Sequence, residues 1–247
     1  MDRAPPESSA VIGFSEAEGL RIATLARPEQ ANALDPALVA DLGAFVQQAT
    51  GEGRPFALAG GRVFCGGFDL GGFEQQSEGD LLLRFVRLEM LLQSVSRASV
   101  PSFALIGGAA IGAGADLAVA CTYRIGTRRT RFRFPGFRFG VALGTRRLEA
   151  IVGTDRARAI LLADATVGAE EALAIGLLTH LVEEDDLLPN AERLVAAQSG
   201  LTPPATARIL GLTGHDTDDA DLSDLVRSLA TPGLRARIAS YLAGKTR

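Results

Sequence analysis

Apolar and polar positions along the chain fall into short patterned blocks. Residues 11–14 and 20–25 are two apolar runs parted by the polar turn SEAEG, which predicts two short strands. Asp35-Pro36 then offers an N-cap and a first-turn proline. Leu38, Leu42, Phe45 and Ala49 follow at spacings of 4, 3 and 4, predicting one amphipathic helix closed by Gly51 and Gly53. Residues 55–59 read as a buried strand leading into the loop GGRVFCGGFDLGG. A strongly apolar helix is expected over 81–96, a buried strand over 102–106, and a helix over 113–121 entered through GGAAIGAG. Helices at 153–163 and 169–175, the latter closed by Gly176, precede a strand at 177–182 and a helix at 189–198. The tail from 203 to 247 reads as helical, broken by the acidic turn HDTDDAD. Strands and helices alternate without a clean βαβ period, so patterning alone gives α/β or α+β.

Composition narrows the functional classes. The 247 residues fit one large domain with a helical appendage, partitioned here as 1–195 and 196–247, and are enough for a sizeable core without disulfides or metal. A net charge of −4 predicts neither a nucleic-acid nor a membrane partner. Cys65 and Cys121 sit in apolar surroundings without CxxC spacing and read as buried free thiols, and two histidines, His180 and His215, make no metal pattern with them. The first ten residues, MDRAPPESSA, contain no apolar h-region, and the longest apolar stretch is broken by glycines and then Asp116, too short for a span. A cytoplasmic location and no metal are expected.

Two glycine loops are the candidates for chemistry. Gly66-Gly67-Phe68-Asp69 follows a strand, and Gly112-Ala113-Gly114 opens a helix. Free N–H groups converging from two such loops would hold the oxygen of a carbonyl as it gains negative charge. Neither loop is a GxGxxG with its acidic partner, a P-loop or a GxSxG elbow. An ordinary packing turn is the simpler reading of either loop alone; the two together leave the packing and the chemical readings level.

The stretches RPEQANAL, GRVFCGGFDL, GGAAIGAGADLAVAC, GTRRLEAIVG and AEEALAIGLLTHLV occur in the order and spacing of the enoyl-CoA hydratase/isomerase superfamily, the crotonases, which the chain resembles over roughly residues 10–185. The resemblance implies a crotonase-like spiral of ββα units with a helical C-terminal region that assembles trimers, as a homotrimer or dimer of trimers. It also implies a coenzyme A thioester as substrate, with no further cofactor. The backbone N–H groups of Phe68 and Ala113 would form the oxyanion hole. Arg27, Ala31, Phe68, Asp69 and Leu70 would lie along the CoA.

The resemblance breaks at the acid/base pair. The first hydratase glutamate maps onto Asp116, a shorter carboxylate, and the second onto Gly136, while the loop from Gly140 to Thr145 is shortened. Three repairs present themselves. Asp116 could act alone in a double-bond isomerisation or another single-acid reaction; Glu89 on the 81–96 helix could supply a second carboxylate; Gly136 could make room for an anion paired with Arg138. Asp116 alone needs the fewest assumptions. Against these, Asp116 also suits a first-turn helix position as an ionised cap, Glu89 suits a solvated helix face, and Asp69 suits a turn. The alternatives are a non-catalytic acyl-CoA-binding homologue, or a decarboxylase or hydrolase for a carboxylated acyl-CoA.

Residues 124–147 hold eight arginines and no acid, interleaved with phenylalanines. Single-stranded nucleic acid could stack on such a pattern. The period of two in RFRFPGFRF is explained more simply by a strand with Phe inward and Arg outward, its guanidiniums meeting acids of another subunit.

Overall fold

The structure is a computed structural model describing residues 11–245. The N-terminal stretch read for a signal, 1–10, lies outside the described residues. The chain opens with β1 (Ile12–Ala17) and β2 (Leu20–Leu25), paired antiparallel, then α1 (Pro36–Gly51). Asp35 caps α1, its carboxylate accepting the Leu38 N–H at 2.8 Å, and Pro36 takes the first position, where no N–H is needed.

Three successive turns of chain then repeat one unit. The first comprises β3 (Phe56–Ala59), β4 (Val63–Cys65) and α2 (Glu78–Ser96); the second β5 (Ser102–Ile106), β6 (Ala109–Ile111) and α3 (Ala113–Ala120). In the third, β7 (Tyr123–Gly126) and β8 (Arg131–Arg133) lead through a 3-10 turn, Pro135–Phe139, to α4 (Thr145–Val152). First strands join a six-stranded sheet in the order β1-β2-β3-β5-β7-β10, the last being His180–Leu181, and second strands join a four-stranded sheet, β4-β6-β8-β9, the last being Val167–Gly168. This is the crotonase spiral of ββα units. The remaining elements are α5 (Thr154–Ala163), β9 (Val167–Gly168), α6 (Ala169–Ala174), β10 (His180–Leu181), α7 (Leu187–Ala197), α8 (Pro203–Thr213), α9 (Asp218–Ala230) and α10 (Leu234–Lys245).

The main core lies between the two sheets and α1 to α3, with Phe45, Phe56, Phe64 and Phe132 fully buried. α7 covers the other face of the large sheet through Leu187, Leu188, Ala191 and Leu194. A third cluster, including Phe85, Phe139, Val141, Leu225, Leu229 and Ile238, fastens α9 and α10 onto α2 and the 3-10 turn. α10 thereby brings Tyr241 to the wall of the site described below.

Several elements differ from the sequence expectation. The small sheet is built of strands of two or three residues, too short to show a period. α4 is a separate helix before α5, divided from it by Gly153 at φ 81°. The 177–182 strand shrinks to two residues, and α7 begins at Leu187 with Pro189 in its first turn, where a proline costs no hydrogen bond. Both cysteines are buried as expected, and burial pushes each thiol up to about 12.

The arginine block is corrected in two respects: only Arg131–Arg133 of RFRFPGFRF is strand, residues 135–139 forming the 3-10 turn with Phe137 exposed, and the acids that meet its guanidiniums lie on this chain. Phe132 does point inward from β8, but the guanidiniums meet acids of the same chain: Arg128–Glu183, Arg129–Glu184, Arg133–Asp164 and Arg146–Asp221. Arg124 is buried and donates to the carbonyls of Cys121 and Leu177. Among the described residues, no helix is long and apolar enough to cross a membrane.

Candidate active site

The two glycine loops meet. Gly67 has φ +95°, and a Cβ there would stand 2.5 Å from the Ile111 carbonyl oxygen and 3.2 Å from the Ala113 nitrogen. Leu34 bridges the first loop, its N–H donating to Gly67 O at 2.7 Å and its carbonyl accepting from Asp69 N–H at 3.2 Å. Backbone groups alternate sides along an extended segment, so the Phe68 N–H faces away from Leu34. Ala113 is the first residue of α3, where an N–H has no intrahelical acceptor. Among the described residues neither N–H has an acceptor.

Both residues line a chamber of about 90 Å³ walled by Phe68, Phe85, Phe134, Phe139 and Tyr241, with Leu70 and Gly136 also at its surface. A larger groove, about 790 Å³, runs between α1 and α2 and shares Phe68 with the chamber, but neither Ala113 nor Asp116 reaches it. The chamber is therefore the candidate site. Phe68 is fixed from α2: its ring stacks on Phe85 at 3.9 Å, and the Arg84 guanidinium lies 4.3 Å from its centroid. Arg84 also donates to the Asp69 carbonyl at 2.6 Å. Sequence reasoning missed this clamp, whose only trace is an adjacent Arg-Phe pair on the 81–96 helix.

Asp116 is the only carboxylate lining the chamber among the described residues. It is 5% exposed, and its Oδ1 is buried without a hydrogen-bond partner. Burial holds its pKa well above the ordinary carboxylate range, with Arg147 pulling it down and Glu89 pushing it up. Asp116 does stand in the first turn of α3, as expected, but its Oδ1 accepts no helix N–H, so the capping bond is not made.

The other two repairs do not survive the geometry. Glu89 is neither a solvated residue nor a second acid facing the chamber: it is 1% exposed and ion-paired with Arg147, Nη2 to Oε1 at 2.5 Å. Arg138 is not turned toward an anion beside Gly136; it pairs with Asp164 at 3.0 Å and lies outside the chamber. Gly136 itself has no room behind it, because a Cβ would fall 2.8 Å from the Val141 carbonyl oxygen. The shortened loop folds back here, Val141 N–H donating to Gly136 O at 3.0 Å.

Arg27 is held in an acidic bracket, 2.9 Å from Asp69 and 3.2 Å from Asp35. Asp69 also accepts from Gly71 N–H at 2.8 Å, the turn role that its position suggests. Ala31, at φ 51°, accepts from Gly66 N–H at 2.8 Å and so ties the first motif to the second. His180 bonds the Thr179 hydroxyl and lies far from this chemistry in β10.

A ββα spiral with two unbonded loop N–H groups beside a buried carboxyl defines a crotonase-fold protein. Comparison agrees with the architecture. The sequence matches the family described as enoyl-CoA hydratase/isomerase over residues 15–214, and the chain belongs to that family. It is 35% identical over 204 residues to a probable enoyl-CoA hydratase of Mycobacterium leprae, covering 79% of each chain. A probable enoyl-CoA hydratase of Rhodobacter capsulatus is 39% identical over 181 residues, 71% of this chain and 70% of that one. A crystal structure from Bordetella parapertussis, provisionally described as an enoyl-CoA hydratase/isomerase, superposes with a TM-score of 0.92 at 41% identity, covering 95% of this chain and 99% of the other.

Proposed function

We propose that the chain binds an acyl-CoA with its thioester oxygen between the N–H groups of Phe68 and Ala113, and that Asp116 moves one proton at the neighbouring carbon. A thioester becomes enolate-like when an α-proton leaves, and fixed N–H donors stabilise that charge without reorganising. One carboxylate can take a proton from one carbon and return it to another, which is double-bond isomerisation. Efficient hydration needs a second group to orient water.

The observation that carries the choice is the pairing of Asp116 with Gly136. Among the described residues the chamber has one carboxylate, and a side chain at Gly136 would run into the Val141 carbonyl. Its aromatic walls suit an uncharged acyl group. A carboxylated acyl-CoA would need a cation there, and Arg138 is committed to Asp164, so the decarboxylase and hydrolase readings lose support. Arg27, Ala31, Asp69 and Leu70 are assigned to the CoA path, with Arg27 acting as a braced floor. This chemistry calls on no cofactor beyond the CoA ester. The homotrimer, alone or doubled, belongs to the same proposal; exposed Ile209 and Leu212 on α8, a helix with no buried residue, are surfaces a second copy would cover.

The test offers purified protein a 3-enoyl-CoA and, separately, crotonyl-CoA, following the conjugated enoyl absorbance. Appearance of that absorbance from the first with little loss from the second supports isomerisation. Rapid loss from crotonyl-CoA overturns it in favour of hydration. Binding of both esters without either change favours the non-catalytic acyl-CoA-binding homologue.

A further inference from the structure

Glu89 and Arg147 form a buried ion pair outside the chamber's lining. Arg147 stands on the first turn of α4, three residues past Gly144, whose backbone packs against the Asp116 carboxyl. Its two terminal nitrogens donate to Glu89 at 2.5 and 3.2 Å, and the two side chains are 8% and 1% exposed. Glu89 also accepts from Gln93 at 3.0 Å. Arg147 reaches toward Asp221 and Asp218 only at 3.6 and 3.9 Å. Asp221 takes its hydrogen bonds elsewhere, from Arg146 at 2.9 Å and from the Thr217 hydroxyl at 2.7 Å.

Such a pair is weak evidence for stability, because the cost of desolvating two charges offsets their attraction. Arg147 stands within one helical turn of Gly144, whose backbone packs against the Asp116 carboxyl, and the Oδ1 of that carboxyl has no hydrogen-bond partner, which gives the pair a second use. We propose that Arg147, held in place by Glu89, is a positioning residue for Asp116: it supplies the countercharge that decides when the carboxyl gives up its proton. This rests on the reading of Asp116 as the proton carrier.

The charge inventory around Asp116 makes the proposal specific. Glu89 on α2 and Arg147 on α4 act on it with opposite sign, and Asp221 and Asp218 on α9 lie 3.6 and 3.9 Å from Arg147. Arg146 on α4 is spent on Asp221 and Asp224. Cys65 on β4 is un-ionised, and Tyr241 on α10 meets the chamber. In this poorly solvated region each full charge acts strongly. Glu89 opposes the pull of Arg147. Removing the Glu89 charge while keeping its acceptor oxygen frees Arg147 to favour the Asp116 carboxylate.

Carboxyl carbon NMR of the folded, labelled full-length protein reads this directly, with the Asp116 signal identified by its loss in Asp116→Asn. In Glu89→Gln the Asp116 titration midpoint moves to lower pH. In the double variant Glu89→Gln/Arg147→Met, which leaves no stranded charge in the pair, the midpoint moves back up from that of Glu89→Gln. A midpoint unchanged across wild type and both folded variants overturns the proposal. The signal is read without turnover, so failure of the catalytic reading is seen separately, in the enoyl assay.

Discussion

The Gly144 backbone sits against the Asp116 carboxyl so closely that a Cβ would fall 2.2 Å from Oδ1. The shortened loop thus ends on a residue that only glycine can provide, at φ +63° and at the start of α4. The carboxylate and the loop are one device. Gly144→Ala is expected to lose about 1–2 kcal/mol from the left-handed backbone alone, and more from the clash. A thermal melt should show that loss, and enoyl isomerisation should fall further than stability because Asp116 is displaced.

The pH dependence follows from burial. Asp116 is held protonated well above the ordinary carboxylate range, and the isomerisation must begin with its ionised form. The kcat/KM for a 3-enoyl-CoA therefore rises with pH through that raised midpoint and then levels. A profile already flat from ordinary carboxylate pH upward contradicts the assignment.

Stability moves the other way. With a folded-state pKa above the unfolded one, Asp116 costs nothing below the unfolded pKa, progressively more between the two, and a constant amount above the folded one. The melting temperature of Asp116→Asn minus that of wild type should therefore increase with pH. Parallel melting curves across pH would contradict it.

Gly136→Glu alone should not create a hydratase. Its Cβ meets the Val141 carbonyl at 2.8 Å, so the loop must shift, at about 1–3 kcal/mol for overpacking. The expected result is a lower melting temperature with no gain in crotonyl-CoA consumption.

Arg84 is predicted to serve the Phe68 loop from outside the chamber. Arg84→Ala removes the guanidinium from the Phe68 ring and its bond to the Asp69 carbonyl. Losses on the order of 1 kcal/mol for each contact should lower kcat by roughly tenfold while KM changes little. Restoration of most of that rate by Arg84→Lys would support the cation's role.

What could be read in the sequence was whatever is local. The two loops, the helix that follows each, Asp116 and the missing acid at Gly136 all lie in contiguous motifs. The small sheet was hidden because strands such as Val63–Cys65 and Val167–Gly168 are too short for a period to register. Glu89 was misread for a different reason. Helical patterning assigns a charge outward, and what reverses that is Arg147, 58 residues away in sequence. Arg138 and Asp164 repeat the lesson at a separation of 26 residues. Long-range ion pairs leave no trace in local spacing.

Formation of the enolate can be tested without choosing a reaction. A saturated acyl-CoA is incubated with the protein in deuterated water, and deuterium at the carbon next to the thioester is measured. The account predicts steady incorporation by the wild-type protein and none above background by Asp116→Asn, which still binds the ester. Undiminished exchange in Asp116→Asn, or no exchange in wild type with the ester bound, would contradict it.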